Sequence, residues 1–267
     1  MSLPGFVDSP VTLQGITKTV FRRGKGPGVV IMPEIPGITP PVAAFAERVA
    51  AEGFTVFVVD LFGTPGRPTT LAYAGAEIAK ACVSRELSVL AADASSPVTS
   101  WLRALCRQVH AELGGKGVGA IGMCLTGNFA LALMVDPVVM APVLSQPSLP
   151  FPIGRERRAG LHLSPADLAV VKQRVEAGCP VLGMRFTGDP VVPPERFARL
   201  REELGAGFEA IEIDSSPGNP HGIPRTAHSV VTIDLVDREG HPTQAALHRV
   251  LAFFRERLLP EPAAPAP

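Results

Sequence analysis

Val118-Gly119-Ala120-Ile121-Gly122-Met123-Cys124-Leu125-Thr126-Gly127-Asn128-Phe129-Ala130-Leu131-Ala132 is the stretch whose reading decides the fold. Small and β-branched residues over 117–122 read as a buried strand, and the run from Phe129 to Met134 reads as a buried helix. The turn between them carries Cys124 at its tip, with Gly122 before it and Gly127 after. Such a strand-turn-helix needs small residues beside the tip, because the two backbones pass close together while one side chain stands clear above the sheet. This is a nucleophile elbow with a thiol in place of the commoner serine. At a helix N-terminus the dipole and the free backbone N–H groups favour a thiolate. A buried structural thiol would not need the two glycines. The same stretch also matches a dinucleotide-binding pattern, G-x-G-x-x-G over 117–122, but these glycines precede and enter the strand instead of forming the turn after it, so no nucleotide cofactor is expected.

Working outward, Val29-Val30-Ile31-Met32, Phe54 to Val59, Val138 to Leu144, Pro180 to Phe186 and Phe208 to Ile213 are further apolar runs of strand length. Helical patterns fall at about 41–52, 97–113, 165–177, 194–204 and 242–258, and residues 1–20 read as one or two edge strands. A long connection is expected from Leu61 to the helix near 97. Strands alternating with helices predict an α/β fold, a mostly parallel central sheet with helices on both faces. We expect a single domain over 1–259 and a disordered Pro/Ala-rich tail over 260–267.

The 267 residues, 46% of them hydrophobic, suffice for one sizeable core. With 25 basic and 25 acidic residues and no long run of either sign, neither nucleic acid nor a membrane surface is an expected partner, which leaves a small molecule. Cys82, Cys106, Cys124 and Cys179 form no CxxC pair, which argues against a disulfide framework and a zinc site. With no leader-like N-terminus and no apolar run of membrane length, the expected location is cytoplasmic, as a monomer or small homo-oligomer.

In a sheet of this kind, chemistry sits outside the C-terminal strand ends. Two strands after the elbow, Thr187-Gly188-Asp189-Pro190 offers Asp189 where a triad keeps the carboxylate that orients its histidine. The loop after the last strand holds two candidate bases, His221 and His228. His221 lies in a Pro/Gly-rich run, whereas His228 has small neighbours and a β-branched run behind it, and is favoured. His110, His162, His241 and His248 show no metal-ligand spacing. Glu34 and Ile35 end the first core strand, where this architecture supplies a second oxyanion donor. The N–H of Ile35 and that of Leu125 are the expected pair.

At these residues the chain resembles the dienelactone hydrolase family of the α/β-hydrolase superfamily, over about residues 28–258. The family's elbow G-x-C-x-G-G is similar to Gly122-Met123-Cys124-Leu125-Thr126-Gly127, with Thr126 in place of one glycine. Its Q-E-I-F-G loop resembles Pro33-Glu34-Ile35-Pro36-Gly37, and its acid corresponds to Asp189. The resemblance implies a hydrolase of an ester or lactone acting through a Cys-His-Asp triad and an acyl-thioester. It also implies two arginines that hold an anionic substrate, here Arg85 and Arg225. The family's H-S-F-A-R-T string matches His221 to Thr226 in its His-to-Arg spacing, and Ala227-His228-Ser229 in its small-His-Ser surroundings, so both histidines stay in play. The match further implies that Glu34 faces Cys124 and holds it as a thiol until an anionic substrate displaces the carboxylate. Residues 147–164 lengthen the nucleophile-to-acid spacing, and an altered lid is expected there. The competing class is a non-catalytic receptor or carrier with the same pocket, for which Thr126 in the elbow is the best argument.

Overall fold

The computed structural model describes residues 3–84 and 96–260. One eight-stranded sheet is built from β1 (Val7–Leu13), β2 (Ile16–Gly24), β3 (Gly28–Met32), β4 (Thr55–Val59), β5 (Val118–Met123), β6 (Val139–Ser145), β7 (Val181–Phe186) and β8 (Phe208–Ile213). The spatial order is β1-β2-β4-β3-β5-β6-β7-β8. β1 and β2 are an antiparallel edge, β2 meets β4 antiparallel, and the other six strands run parallel.

Parallel strands must be covered on both faces, and the alternation within each strand shows how. Val29 and Ile31 of β3 join one apolar layer with α1 (Pro40–Ala51) and α8 (Pro242–Leu258). Val30 and Met32 join the opposite layer with α3 (Pro97–Leu113), α4 (Gly127–Leu133), α6 (Pro165–Glu176) and α7 (Pro194–Leu204). Gly119 of β5 lets α8 approach closely, since a Cβ there would lie 3.1 Å from Leu258 and Phe254. The α1, α3, α6, α7 and α8 helices each open on a proline, which sits in the first turn without losing a hydrogen bond. Ser96 and Ser164 cap α3 and α6, their Oγ atoms accepting from Thr99 N at 3.2 Å and Asp167 N at 3.1 Å.

Two helices depart from the expected connections. α2 (Leu71–Val83) occupies what reads as a long loop, and α5 (Gly154–Ala159) lies within the 147–164 segment. α2 buries only Tyr73, Glu77 and Ala81, a stripe one residue wide that leaves no strong apolar period. Its signal is propensity, since alanine-rich sequence favours helix without an apolar face. The tail beyond Pro260 lies outside the described residues.

The chain leaves β3 to one side, toward β4, and then crosses back to lay β5 on the other side. The carboxyl ends of β3 and β5 therefore flank the point where the winding reverses, which is where an open α/β sheet leaves a crevice. Met32 and Gly122 are paired in register there, so Glu34, Ile35 and Cys124 emerge side by side.

Candidate active site

Cys124 follows β5 with φ of +55°, a left-handed conformation that a non-glycine residue adopts only under local constraint. The constraint is the 3-10 turn Cys124–Thr126, which doubles the chain back over the strand into α4. A Cβ on Gly122 would lie 1.9 Å from Thr126 O, and one on Gly127 would lie 2.4 Å from Pro147 Cα, so both positions exclude any side chain. Thr126 fits because it is wired in. Its hydroxyl accepts from Met123 N at 2.8 Å and donates to Met32 O at 2.8 Å, tying the elbow to the end of β3. Thr126 thus stiffens the elbow, and the argument it offered for a non-catalytic protein falls away.

The loop after β8 brings His228, not His221, to Cys124. His228 Nδ1 lies 2.6 Å from Asp189 Oδ2, and His228 and Cys124 line one cavity. Asp189 is buried at the end of β7, and its second oxygen accepts from Val191 N at 3.0 Å. Burial alone would lower the histidine's pKa, but the Cys124 charge and the Asp189 carboxylate outweigh it and hold His228 well above the ordinary value. Asp234 fixes the loop by accepting from the backbone N–H groups of His228 and Ser229, both at 2.8 Å. His221 is a correction: it is exposed, its ring packs 5.3 Å from that of His241, and it lines a separate groove with Ile211 and Pro242. The Pro/Gly-rich turn around it keeps it on the surface.

Glu34 is the second correction. It is buried, yet its carboxylate faces the histidine loop: Ser229 Oγ donates to it at 2.6 Å, Thr232 Oγ1 also donates, and Gln146 Nε2 donates at 3.1 Å. Among the described residues none of its hydrogen bonds goes to Cys124. Burial raises its pKa, an effect that the Ser229, Thr232 and Gln146 hydrogen bonds and the nearby His228 reduce without cancelling. Glu34 therefore fastens 229–232 to the end of β3.

Ile35 and Leu125 line the same cavity of about 250 Å³ as Cys124 and His228. Arg225 is exposed, its Cγ lies against Gly188, and it is not among the cavity-lining residues; Arg85 lies outside the described residues. Among the described residues no group of three or more His, Cys, Asp or Glu could hold a metal ion, and no helix is long and apolar enough to cross a membrane.

Sequence reasoning missed what the end of β6 contributes. Ser148 N donates to Cys124 O at 3.0 Å and Ser148 Oγ lies 3.4 Å from Cys124 Sγ, while Gln146, with φ of +35°, links Glu34 to the histidine loop through Val230 N. Ser145-Gln146-Pro147-Ser148 sits directly after an apolar run, and reading that strand end as the others were read would have found it. Also missed was Arg196 of α7, a fully buried guanidinium that donates to five main-chain carbonyls, those of Pro147, Pro150, Arg157, Gly160 and Val191. It pins the 147–160 segment over the thiol.

The model of the dienelactone hydrolase family matches residues 13–258. A Saccharomyces cerevisiae protein named "Putative carboxymethylenebutenolidase" is 26% identical over 202 residues, covering 72% of this chain and 69% of that protein. Among solved structures, a dienelactone hydrolase from Anabaena variabilis superposes with a TM-score of 0.61 at 16% identity, covering 95% of this chain and 98% of that one. A dienelactone hydrolase-like promiscuous phosphotriesterase from metagenomic libraries superposes at 0.59 with 18% identity, covering 95% and 99%. At these identities the two structures speak to the fold.

Proposed function

The chain belongs to the dienelactone hydrolase family and is an ester or lactone hydrolase of that type, and from this premise we propose that Cys124, His228 and Asp189 are its catalytic triad. The observation that carries the reading is the His228–Asp189 hydrogen bond beside a cavity that His228 and Cys124 line together.

In this mechanism the Cys124 thiolate attacks the carbonyl carbon, a C–S bond forms and the carbonyl π electrons move to oxygen. The backbone N–H groups of Ile35 and Leu125 receive that charge, a contribution of about 2.7–4 kcal/mol per donor in comparable sites. As the intermediate collapses, the C–O bond to the leaving group breaks and the proton on His228 Nε2 passes to the departing alkoxide. The neutral ring then takes a proton from water, whose oxygen attacks the thioester, and the C–S bond breaks to return the thiolate and its imidazolium partner. Asp189 keeps a proton on Nδ1 throughout, so Nε2 is the nitrogen that works.

C124A should lower turnover of 4-nitrophenyl acetate by at least about a thousandfold, as removal of a triad nucleophile does elsewhere. Undiminished hydrolysis by that variant would refute the assignment.

A further inference from the structure

Resting on the assignment of Cys124 as nucleophile, we propose that Ser148 is a further catalytic residue, whose hydroxyl donates a hydrogen bond to the Cys124 sulfur and stabilises its negative charge. Ser148 Oγ lies 3.4 Å from Cys124 Sγ, within hydrogen-bond reach of sulfur, and both residues line the cavity. Ser148 is buried, and among the described residues the sulfur is the one hydrogen-bond partner of its hydroxyl. A thiolate has no proton to give, so in the attacking state the hydroxyl is the donor. A hydrogen bond made to the charged form of a group favours that form.

The hydroxyl is held in place in advance. Ser148 N donates to Cys124 O at 3.0 Å, so one residue meets both the main chain and the side chain of the nucleophile. On either side of it, Gln146 N donates to Met184 O at 2.8 Å, Arg196 Nη1 donates to Pro147 O at 2.6 Å, and Asn128 Nδ2 donates to Leu149 O. A donor fixed before the reaction needs no reorganisation as charge develops. The titratable groups around the sulfur are His228, which shares the cavity with Cys124 and feels its charge, and behind it Asp189 and Glu34. The roles of His228 and Ser148 differ, since His228 exchanges its proton and Ser148 keeps its own on Oγ throughout. When the C–S bond forms, the sulfur passes into a neutral thioester and becomes a weak acceptor. When that bond breaks, its electron pair returns to the sulfur, and the Ser148 O–H is again there to meet the charge.

The test follows alkylation of Cys124 by iodoacetamide across pH in wild type, S148A and S148T, with adducts mapped by peptide mass. Labelling of Cys82, half-buried on α2, serves as the reference for an intact fold. The midpoint of the S148A profile should lie about one pH unit above that of wild type, the tenfold in ionisation that a hydrogen bond to a charged group represents. A more basic thiolate is also the stronger nucleophile, with a Brønsted slope of about 0.4–0.5. S148A should therefore react about threefold more slowly than wild type on the acid limb and about threefold faster on the alkaline plateau, so that the profiles cross. S148T, which keeps a hydroxyl, should follow wild type. In S148A the kcat for 4-nitrophenyl acetate should fall without a rise in KM, because the sulfur leaves the thioester less readily. Coincident profiles, or an S148A profile slower at every pH, would overturn the role of Ser148 and leave Cys124 as nucleophile. Hydrolysis by C124A as fast as by wild type would overturn the nucleophile, and the role of Ser148 with it.

Discussion

At the scale of single residues, the site turns on the charge state of one histidine. Burial favours neutral His228, and the neighbouring Cys124 and Asp189 raise its pKa against that burial. Asp189→Asn removes the carboxylate charge and leaves the burial. The His228 titration seen by imidazole NMR should then move down from its raised value toward or below about 6.5. The kcat for a simple ester should fall on the order of 10⁴-fold, because an Asn can present the wrong donor to Nδ1 and invert the tautomer. An unmoved imidazole titration would show that Asp189 does not govern the ring. The role of Glu34 was half legible at this scale. Its place at a strand end could be read from Pro33-Glu34-Ile35, but its direction could not, because Ser229, Thr232 and Gln146 come from positions up to 198 residues away in sequence.

Between elements, the decisive contacts run from main chain to side chain. Thr126 joins β5 to β3, and Arg196 joins α7 to the segment carrying Ser148 and Phe151. Neither tie has a local sequence signature, since Arg196 sits in Pro194-Glu195-Arg196-Phe197 among other charged positions of an amphipathic helix. The guanidinium is desolvated enough for its pKa to drop to about 10, yet its hydrogen bonds hold it there. Arg196→Met would leave those carbonyls buried without donors and should destabilise the fold by about 3 kcal/mol or more in denaturant titrations. Arg196→Lys keeps a charge and three donors, but loses the planar fork that reaches several carbonyls at once. That variant should fold, admit trypsin at Arg155, Arg157 or Arg158 faster than wild type, and raise KM for 4-nitrophenyl acetate more than it lowers kcat. Unchanged proteolysis would mean that the segment holds its place without Arg196. By contrast, α3, α6, α7 and α8 are readable nearly to the residue, because a Pro at each start, preceded by Ser at α3 and α6, is a local signal.

Across the whole molecule, strand order is what no local pattern states. Six apolar runs give strands, but that β4 lies outside β3 while β5 lies inside follows from long-range pairing, and that reversal is what makes the crevice. The buried ionisable groups also write a pH dependence into global stability. Glu34 and His228 both have raised pKa values in the folded state, so each binds a proton that the unfolded chain releases earlier. The sign is that of falling stability with rising pH, starting near 4.5 for Glu34 and near 6.5 for His228, by at most about 1.4 kcal/mol per pH unit and group. Glu34→Gln should abolish the first of these slopes in denaturation midpoints measured from pH 4.5 upward, while leaving the second. A slope unchanged in that variant would place the titrating group elsewhere. The Arg196 clamp has a consequence on another timescale. Because it grips carbonyls, which every residue type carries, the 147–160 segment owes its course to its main chain and not to the identity of its side chains. Mutation can rewrite Phe151, and with it what the cavity prefers, without unseating the segment. Lineages descended from this chain can thus change diet while keeping their nucleophile, and a library randomised at that position is where new specificities would be found first.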